Sequence, residues 1–372
     1  MKFRAAVLER VGAPVPWSDS VPINVTDLEL DPPGPGELLV RMEAAGVCHS
    51  DLSRVSGVRQ CAVPLVLGHE GAGVVEQLGD GCAGLAVGQR VSMTFMPRCG
   101  SCPACTASGW ALCIEGTKAN AAGTLLRGSR RLRHRGEPVD HHGGVSAFAE
   151  YAVVDRHSVV PLPSSVPAEV AALLGCAVLT GGGAVMNAAR LHAGETCAVV
   201  GMGGVGLAAA LVARSLGAAE VVAVDSQPSK CAKAIQVAAT GAYSPEEAVA
   251  AGAKFDVVVE CAGHPAALST AIALTKPGGR TVTVGLSSPS TRLEISPLEL
   301  VLEARQLIGS YMGSGIPSND IAAYAAMYLD GRLPVERLIS GTVALDDVNH
   351  AMDELREGRA LRQIIDFTGR TA

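Results

Sequence analysis

Apolar and polar residues alternate in short runs over about the first 175 residues. Examples are ELLVRMEAAGV, GAGVVEQLG, QRVSMTF and FAEYAVV, and turn-forming stretches such as DPPGPGE separate them. Alternation interrupted by glycine and proline is typical of short strands joined by turns. This part of the chain is therefore predicted to form an irregular β-barrel or sandwich.

The pattern changes near Pro167. PAEVAALLGCAVLTGGGAVMNAARL has the apolar spacing of a helix, interrupted by the glycines at 181–183. After it, the apolar runs TCAVVG, EVVAVD, FDVVVEC, RTVTVGL and RQLIGSYM predict strands, with helices over about 204–216 and 228–239. The tail predicts helices near 319–330 and 346–357 and a last strand, RQIIDF. Strands alternating with helices of this length predict an α/β fold with a doubly wound parallel sheet.

Composition and charge limit the classes of binding partner and the cellular compartment that we expect. A chain of 372 residues predicts two or three domains, and its net charge of −6 excludes a basic surface for nucleic acid. The start, MKFRAAVLER, lacks the apolar run of a signal peptide, and no apolar stretch predicts a membrane span. Eleven cysteines, an odd number, are expected to be reduced thiols rather than disulfides. We therefore expect a cytoplasmic protein.

One segment is locally basic. Five arginines lie between positions 127 and 135, in LLRGSRRLRHRGE. They could steer an anionic ligand, but a solvated loop is the favoured interpretation of such a charge run.

Four cysteines fall in one short stretch, CGSCPACTASGWALC: Cys99, Cys102, Cys105 and Cys113. Four thiolates this close together can surround a tetrahedral zinc ion and leave no coordination place open. The loop 99–113 is therefore predicted to be a structural zinc site.

A glycine motif follows the strand TCAVV and opens a helix. Its glycines permit a tight turn, close approach of the backbone to a pyrophosphate, and packing of the helix on the strand. Asp225 ends the next strand, where a carboxylate accepts the ribose hydroxyls of NAD and repels the 2′-phosphate of NADP. NAD is therefore the predicted cofactor. The predicted NAD-contacting residues here are Gly201, Gly203, Gly204, Val205, Gly206, Asp225 and Lys230.

A second metal site is predicted from residues far apart in the sequence. GVCHSD contains Cys48, GHEGAG contains His69, and LLGCAVLTG contains Cys176. Two thiolates, one imidazole and an open position make a catalytic zinc arrangement. Taken singly, each of these residues is more often a buried structural residue, and sequence spacing alone does not show that they converge.

The motifs together resemble a known family. GVCHSD, GHE, the four-cysteine loop, GCAVLTG, GMGGVG and the Asp225 strand occur in the order seen in zinc-dependent medium-chain alcohol dehydrogenases. The resemblance runs from the first strand to RQIIDF and is greatest to the long, dimeric-type form. It implies a Rossmann sheet plus an irregular β-rich, GroES-like catalytic domain. The implied divisions are a catalytic domain at 1–177, an NAD-binding domain at 178–311 and a return to the catalytic domain at 312–372.

The resemblance also implies roles for individual residues. Cys48, His69 and Cys176 would bind the catalytic zinc, with Asp51 and Glu70 beside them. Ser50 would hydrogen-bond the alcohol oxygen. Further cofactor contacts would come from Thr180, His49, Val284, Leu286 and Arg362. The substrate pocket would include Phe95, His142 and Arg59.

The implied activity is reversible, NAD-dependent oxidation of a primary alcohol to an aldehyde, with two zinc ions per chain. A homodimer would form through the sheet edge near RQLIGSYM. Two residues depart from the family pattern. Ser53 stands where a histidine often ends the proton relay, and His142 with Gly143 replaces bulkier apolar wall residues. The second departure favours larger aromatic, terpenoid or long-chain alcohols.

Two alternatives stay open at this level. A thiol-adduct formaldehyde dehydrogenase shares most of the motifs and would need a cationic anchor, for which Arg59 and Lys118 are candidates. A non-catalytic zinc and nucleotide-binding scaffold would need only the four-cysteine loop and the nucleotide fold.

Overall fold

Eighteen strands occur in the residues that the computed structural model describes, which are 1–107, 110–288 and 290–369. In chain order they are β1 (Lys2–Leu8), β2 (Ile23–Leu30), β3 (Glu37–Gly46), β4 (Leu65–Val66), β5 (Glu70–Leu78), β6 (Arg90–Met93), β7 (Leu132–His134), β8 (Glu137–His141), β9 (Tyr151–Asp155), β10 (Val159–Pro161), β11 (Thr196–Val200), β12 (Glu220–Val224), β13 (Gly241–Tyr243), β14 (Phe255–Glu260), β15 (Thr275–Thr283), β16 (Gln306–Gly309), β17 (Gly341–Val343) and β18 (Gln363–Asp366).

Helices connect these strands. The α-helices, one of which contains π-helical turns, are Trp17–Ser20, His49–Val55, Pro103–Thr106, Ile114–Ala121, Ala168–Ala188, Gly204–Ser215, Pro228–Val237, Pro245–Ala250, Pro265–Leu274, Pro297–Leu302, Pro317–Leu329 and Val348–Arg356. Short 3₁₀ turns are His142–Gly144, Arg156–Ser158, Met312–Ser314, Val335–Leu338 and Leu345–Asp347.

The chain divides into two compact units. Unit 1 comprises Met1–Cys176, Ile316–Leu329 and Ile339–Ala372. Unit 2 comprises Ala177–Gly315 and Asp330–Leu338.

Unit 1 is the β-rich part that the alternating pattern predicts. A closed barrel has the strand order β1-β2-β7-β8-β4, and a second sheet has the order β10-β6-β5-β3-β18-β17, with β9 also paired to β3. Along β3, Leu38, Val40 and Met42 are fully buried while the residues between them are partly exposed. This period of two places one face of the strand in the core and the other towards the surface.

Unit 2 is the predicted parallel sheet. Its six strands have the order β13-β12-β11-β14-β15-β16, and every pairing between them is parallel. The central strands are valine-rich and almost fully buried, as expected where helices cover both faces. In this strand order the direction of winding reverses between β11 and β14, and ligands of such sheets bind at the carboxyl ends of those strands.

The glycines at 181–183 do not interrupt the helix, so that part of the sequence prediction is wrong. The helix runs from Ala168 to Ala188 through alternating α and π turns. A Cβ on Gly183 would collide with the backbone of Gly313, so the glycine permits a close approach rather than a break. The helix is long and apolar enough to cross a membrane, but 83% of its apolar window is buried inside the protein.

The arginine-rich segment is largely paired within unit 1. Arg130 Nε lies 2.7 Å from Asp140 and Arg131 Nε lies 2.7 Å from Glu37. Arg127 and Arg133 pair in the same way with Asp155 and Asp31. These ion pairs favour the loop interpretation over a free anion-steering surface.

Candidate active site

Unit 1 brings Cys48, His69, Glu70 and Cys176 together. Cys48 caps the N-terminus of the helix His49–Val55, just after β3, and His69 and Glu70 lie where β5 begins. Cys176 comes from the helix Ala168–Ala188. Their ligand atoms all lie within 4.8 Å of one another, and all four side chains are buried. Three distant segments therefore supply one cluster of donors.

The imidazole of His69 is oriented for a metal. Its Nδ1 lies 3.0 Å from Asp51 Oδ1, whereas its Nε2 is buried and has no hydrogen-bond partner. A carboxylate on Nδ1 fixes the tautomer that leaves the lone pair on Nε2. Buried polar atoms rarely lack a partner, so an unpaired nitrogen beside two thiols fits a zinc ion.

Asp51 connects the parts of this cluster. Its Oδ1 accepts the backbone N–H of Gly68 at 3.1 Å, and its Oδ2 accepts that of Cys48 at 3.2 Å. Burial raises the pKa of Asp51, but the neighbouring imidazoles, that of His69 foremost, more than compensate and lower it to about 2. The carboxylate therefore stays ionised and holds both the segment at Cys48 and the segment at Gly68 and His69 by hydrogen bonds.

The sequence analysis named His142 as a residue of the substrate pocket but missed its contact with the carboxylate of Asp51. His142 Nδ1 also lies 3.0 Å from Asp51 Oδ1, and the rings of His142 and His69 have centroids 4.9 Å apart. Burial lowers the pKa of His142. The pair His141–His142 in the sequence was the available signal, but it did not identify Asp51 as the partner.

Glu70 forms a buried ion pair with Arg362. Arg362 Nη1 donates to Glu70 Oε1 at 2.7 Å, and both side chains are almost fully buried. Burial raises the pKa of Glu70 to about 7, although Arg362 opposes the shift. Glu70 is thus close enough to the thiols to be a fourth candidate ligand, which the sequence did not predict.

The remaining residues of unit 1 that the sequence predicts for the active site lie in different structural elements. Phe95 stands edge-on to His69 with ring centroids 5.0 Å apart, so it joins His142 beside the cluster. Ser50 is half-buried and His49 exposed on the first turn of the helix His49–Val55. Arg59 lies in the loop that follows that helix. Lys118 is exposed and pairs with Glu115 at 3.0 Å.

The four loop cysteines converge as a separate group. Their sulfur atoms lie within 4.8 Å of one another, and Cys99 Sγ is 3.9 Å from Cys105 Sγ. Cys102 N–H donates to Cys99 Sγ and Gly116 N–H donates to Cys113 Sγ, at 3.4 and 3.3 Å. Backbone N–H groups, that of Ser101 foremost, lower the pKa of Cys99 to about 6. The arrangement fits four thiolates around one closed zinc site.

The glycine motif of unit 2 has the geometry of a phosphate-binding loop. Gly201 has φ = +93°, a conformation that favours glycine, and a Cβ on Gly206 would collide with the carbonyl of Gly201. A Cβ on Gly203 would meet nothing within 4 Å, so space is open at the start of the helix Gly204–Ser215. An open helix N-terminus is a favourable place for a pyrophosphate.

The remaining candidates of unit 2 lie mainly at the carboxyl ends of its strands. Asp225 follows β12, and its carboxylate accepts the N–H groups of Met202 at 2.7 Å and Gln227 at 2.9 Å. Val284 and Leu286 follow β15, and Leu286 is half exposed. Thr180 donates its hydroxyl to Met312 Sδ at 3.9 Å, and Lys230 lies on the helix Pro228–Val237.

Two family models match the chain. The one described as "Alcohol dehydrogenase GroES-like domain" matches residues 34–164, and the one described as "Zinc-binding dehydrogenase" matches residues 204–330. The first range contains all the candidate cysteine and histidine ligands of unit 1 except Cys176, and the second range contains most of unit 2.

Relatives match along nearly the whole length. "Putative alcohol dehydrogenase D" of Mycobacterium tuberculosis is 36% identical over 98% of this chain and 100% of its own. "Alcohol dehydrogenase class-3" of Drosophila melanogaster is 33% identical over 95% and 97%. The crystal structure of benzyl alcohol dehydrogenase from Acinetobacter calcoaceticus has a TM-score of 0.90 at 29% identity, covering 98% and 99%. The chain therefore belongs to the zinc-dependent medium-chain alcohol dehydrogenase family and is a zinc-containing alcohol dehydrogenase.

Proposed function

We propose that this enzyme oxidises a primary alcohol to an aldehyde, reversibly, with NAD and two zinc ions per chain. The observation that carries the proposal is the buried set of Cys48, His69 and Cys176, in which His69 Nε2 has no partner. A purely structural protein has no need of a second buried set of zinc donors with two thiols and one imidazole, in addition to the four-cysteine loop. The scaffold alternative therefore finds no support.

The cofactors and the two serines would have separate roles in this reaction. When bound, zinc would act as a Lewis acid that lowers the pKa of the alcohol hydroxyl, and the nicotinamide would accept the hydride. We assign Ser50 Oγ to hydrogen-bond the alcohol oxygen. Ser53 Oγ donates to the carbonyl of His49 at 2.8 Å, and a serine hydroxyl does not take up a net proton near neutral pH. The relay therefore lacks a histidine terminus at position 53.

Asp225 supports NAD over NADP. Its carboxylate is held at the carboxyl end of β12 by the N–H groups of Met202 and Gln227, 2.7 and 2.9 Å away. A fixed negative charge at this place would repel a 2′-phosphate, and like charges in contact cost several kcal/mol. We therefore expect at least about 100-fold preference for NAD.

The side chains next to His69 support a larger substrate. Phe95 and His142 flank the imidazole of His69, and Gly143 permits the close approach of Phe95, because a Cβ on Gly143 would lie 2.7 Å from Phe95 Cβ. Aromatic side chains beside the candidate metal site suit an aromatic or other large apolar alcohol. A similar structure carries the name benzyl alcohol dehydrogenase.

A substrate panel tests these proposals together. Ethanol, octanol, geraniol and benzyl alcohol are supplied with NAD or NADP, and the reduced nicotinamide is followed by absorbance. We expect kcat/KM for benzyl alcohol to exceed that for ethanol by at least about tenfold. Equal values would remove the size proposal, equal rates with NADP would remove the role of Asp225, and no turnover of any alcohol would remove the reaction itself.

We place the thiol-adduct formaldehyde dehydrogenase second, because one of its two candidate anchors is already engaged in an ion pair. Lys118, one of its two candidate anchors, is paired with Glu115 on an exposed helix. Formaldehyde oxidation that appears only on adding glutathione would reverse this conclusion.

A homodimer is proposed on the exposed edge of unit 2. β16 is the last strand of its sheet, and the helix Pro297–Leu302 just before it exposes Leu298, Val301 and Leu302 by 65%, 76% and 75%. A strand edge that pairs with no further strand among the described residues, beside three exposed apolar side chains, is typical of an interface between copies.

Light scattering on two charge variants tests the dimer. Val301→Glu should convert the dimer to a monomer at micromolar concentration, because an unpaired carboxylate would be buried in the interface. Val87→Glu, at a valine 64% exposed in unit 1, should leave the mass unchanged. A monomeric parent protein would end the proposal.

A cytoplasmic location is also proposed. All eleven cysteines are free thiols, including the two candidate zinc sets. Thiols persist in a reducing compartment. Cell fractionation that recovers the protein in an oxidising compartment would contradict it.

A further inference from the structure

We propose that Glu260 is a positioning residue that fixes the cofactor-binding face of unit 2. The inference rests on the proposed binding of NAD by this unit. Glu260 is the last residue of β14 and is 1% exposed. It is none of the residues that the glycine motif or the family resemblance identifies.

The carboxylate of Glu260 binds the loop that follows its own strand. Its Oε1 accepts the backbone N–H of Ala262 at 2.7 Å and that of Gly263 at 2.6 Å. Hydrogen bonds to a carboxylate are about twice as strong as those between neutral groups. Two of them on consecutive residues hold the start of this loop in one conformation.

The same carboxylate binds the neighbouring strand. Its Oε2 accepts the hydroxyl of Thr283, the last residue of β15, at 2.7 Å. The backbone carbonyl of Glu260 accepts the N–H of Val284 at 2.9 Å. Glu260 therefore ties the carboxyl end of β14 to the carboxyl end of β15, where Val284 and Leu286 begin the next loop.

The loops at this edge interlock around Glu260. A Cβ on Gly285 would collide with the backbone N of Gly263, and Ser287 Oγ donates to the carbonyl of Gly263 at 2.7 Å. On the other side, a Cβ on Gly201 would meet the backbone N of Ala262 at 2.8 Å. A shift of Ala262 and Gly263 would therefore move both the glycine motif and the segment Val284–Leu286.

The burial of this carboxylate is otherwise unexplained. Among the residues that the structure describes, no lysine, arginine or histidine forms an ion pair with Glu260. Burying a carboxylate without a cation is unfavourable unless hydrogen bonds satisfy it. Two donors from the loop after β14 and one from the last residue of β15 provide that satisfaction, so these segments and the carboxylate depend on one another.

The test measures the dissociation constant of NADH by fluorescence in three variants. Glu260→Ala should raise it at least about tenfold, because all three hydrogen bonds are lost. Glu260→Gln should fall between Ala and the parent, since its neutral amide oxygen can accept both N–H groups but more weakly than a carboxylate, and its NH₂ can donate to Thr283 Oγ1. Thr283→Val should raise it about threefold, because only the Oε2 bond is lost.

Thr281→Val is the matched control. Thr281 lies on the same strand as Thr283 and is more deeply buried, and its hydroxyl hydrogen-bonds to Thr275 Oγ1 at 2.6 Å instead of to Glu260. It should lower the melting temperature without changing the NADH dissociation constant.

For the Glu260 variants, KM for NAD should rise while kcat at saturating NAD and the zinc content stay near the parent values.

The outcomes separate the inference from the proposed function. If the parent protein binds NADH and Glu260→Gln and Thr283→Val bind it equally well, Glu260 serves only stability and the inference is wrong. If Thr281→Val weakens binding as much as Thr283→Val, the effect is not specific to Glu260, which also overturns it. A parent protein that binds NADPH but not NADH would contradict the proposed cofactor while the same variants, measured with NADPH, still decide the role of Glu260.

Discussion

Replacing Cys176 with alanine is expected to leave about one zinc ion per chain in place of about two, and to lower kcat/KM for the best alcohol at least ~1,000-fold. Cys176 supplies one of the two thiols of the buried cluster, and its removal leaves Cys48 and His69 as a weaker pair of donors. A metal ion contributes several kcal/mol to such a reaction, and each 1.4 kcal/mol is about tenfold in rate. Zinc is counted by mass spectrometry of the intact metal-loaded protein.

Cys197→Ala is the matched control for that experiment. Cys197 is also fully buried, but it lies on β11 and belongs to neither candidate zinc set. It loses the same sulfur atom from a core position, so it should keep about two zinc ions and most of the activity. A Cys176→Ala protein that still carries two zinc ions would show that Cys176 is not a ligand.

Local patterns predicted the elements well where neighbours in sequence determine them. The helix Gly204–Ser215 and the strand Phe255–Glu260 lie within a few residues of their predicted bounds, because apolar periodicity and a glycine turn are properties of adjacent residues. The glycines at 181–183 misled the prediction for a related reason. Their role is the close approach of a distant segment, Gly313, which no local pattern contains.

The candidate site residues divide in the same way, into those that one local segment identifies and those that come from segments far apart in the sequence. The four cysteines at 99–113 could be assigned from spacing alone, because one loop supplies every ligand. Cys48, His69 and Cys176 come from three segments, so only the resemblance to a family suggested that they meet. The contact of His142 with Asp51 and the hydrogen bonds of Glu260 depend on side-chain positions that neither periodicity nor motif order specifies.

The ion pair between Glu70 and Arg362 likewise joins segments that lie far apart in the sequence. Removing it should have a large effect on stability. Arg362→Met is expected to lower the free energy of unfolding of unit 1 by about 3–5 kcal/mol, because the buried Glu70 loses its cation and must either take up a proton or remain charged without a partner. Arg41→Met removes a similar pair with Glu76 that is about 40% exposed on both sides, and should cost about 0.2–1 kcal/mol.

Tryptophan fluorescence in urea measures these free energies for unit 1 alone. Both tryptophans of the chain, Trp17 and Trp110, belong to unit 1, and Trp17 is almost fully buried. The double variant Glu70→Gln, Arg362→Met should be more stable than Arg362→Met, because glutamine leaves no buried carboxyl group that must be protonated or stay charged without a partner. If Arg362→Met costs no more than Arg41→Met, the buried pair does not stabilise the fold, and the position of Arg362 must be explained by cofactor binding, as the family resemblance implies.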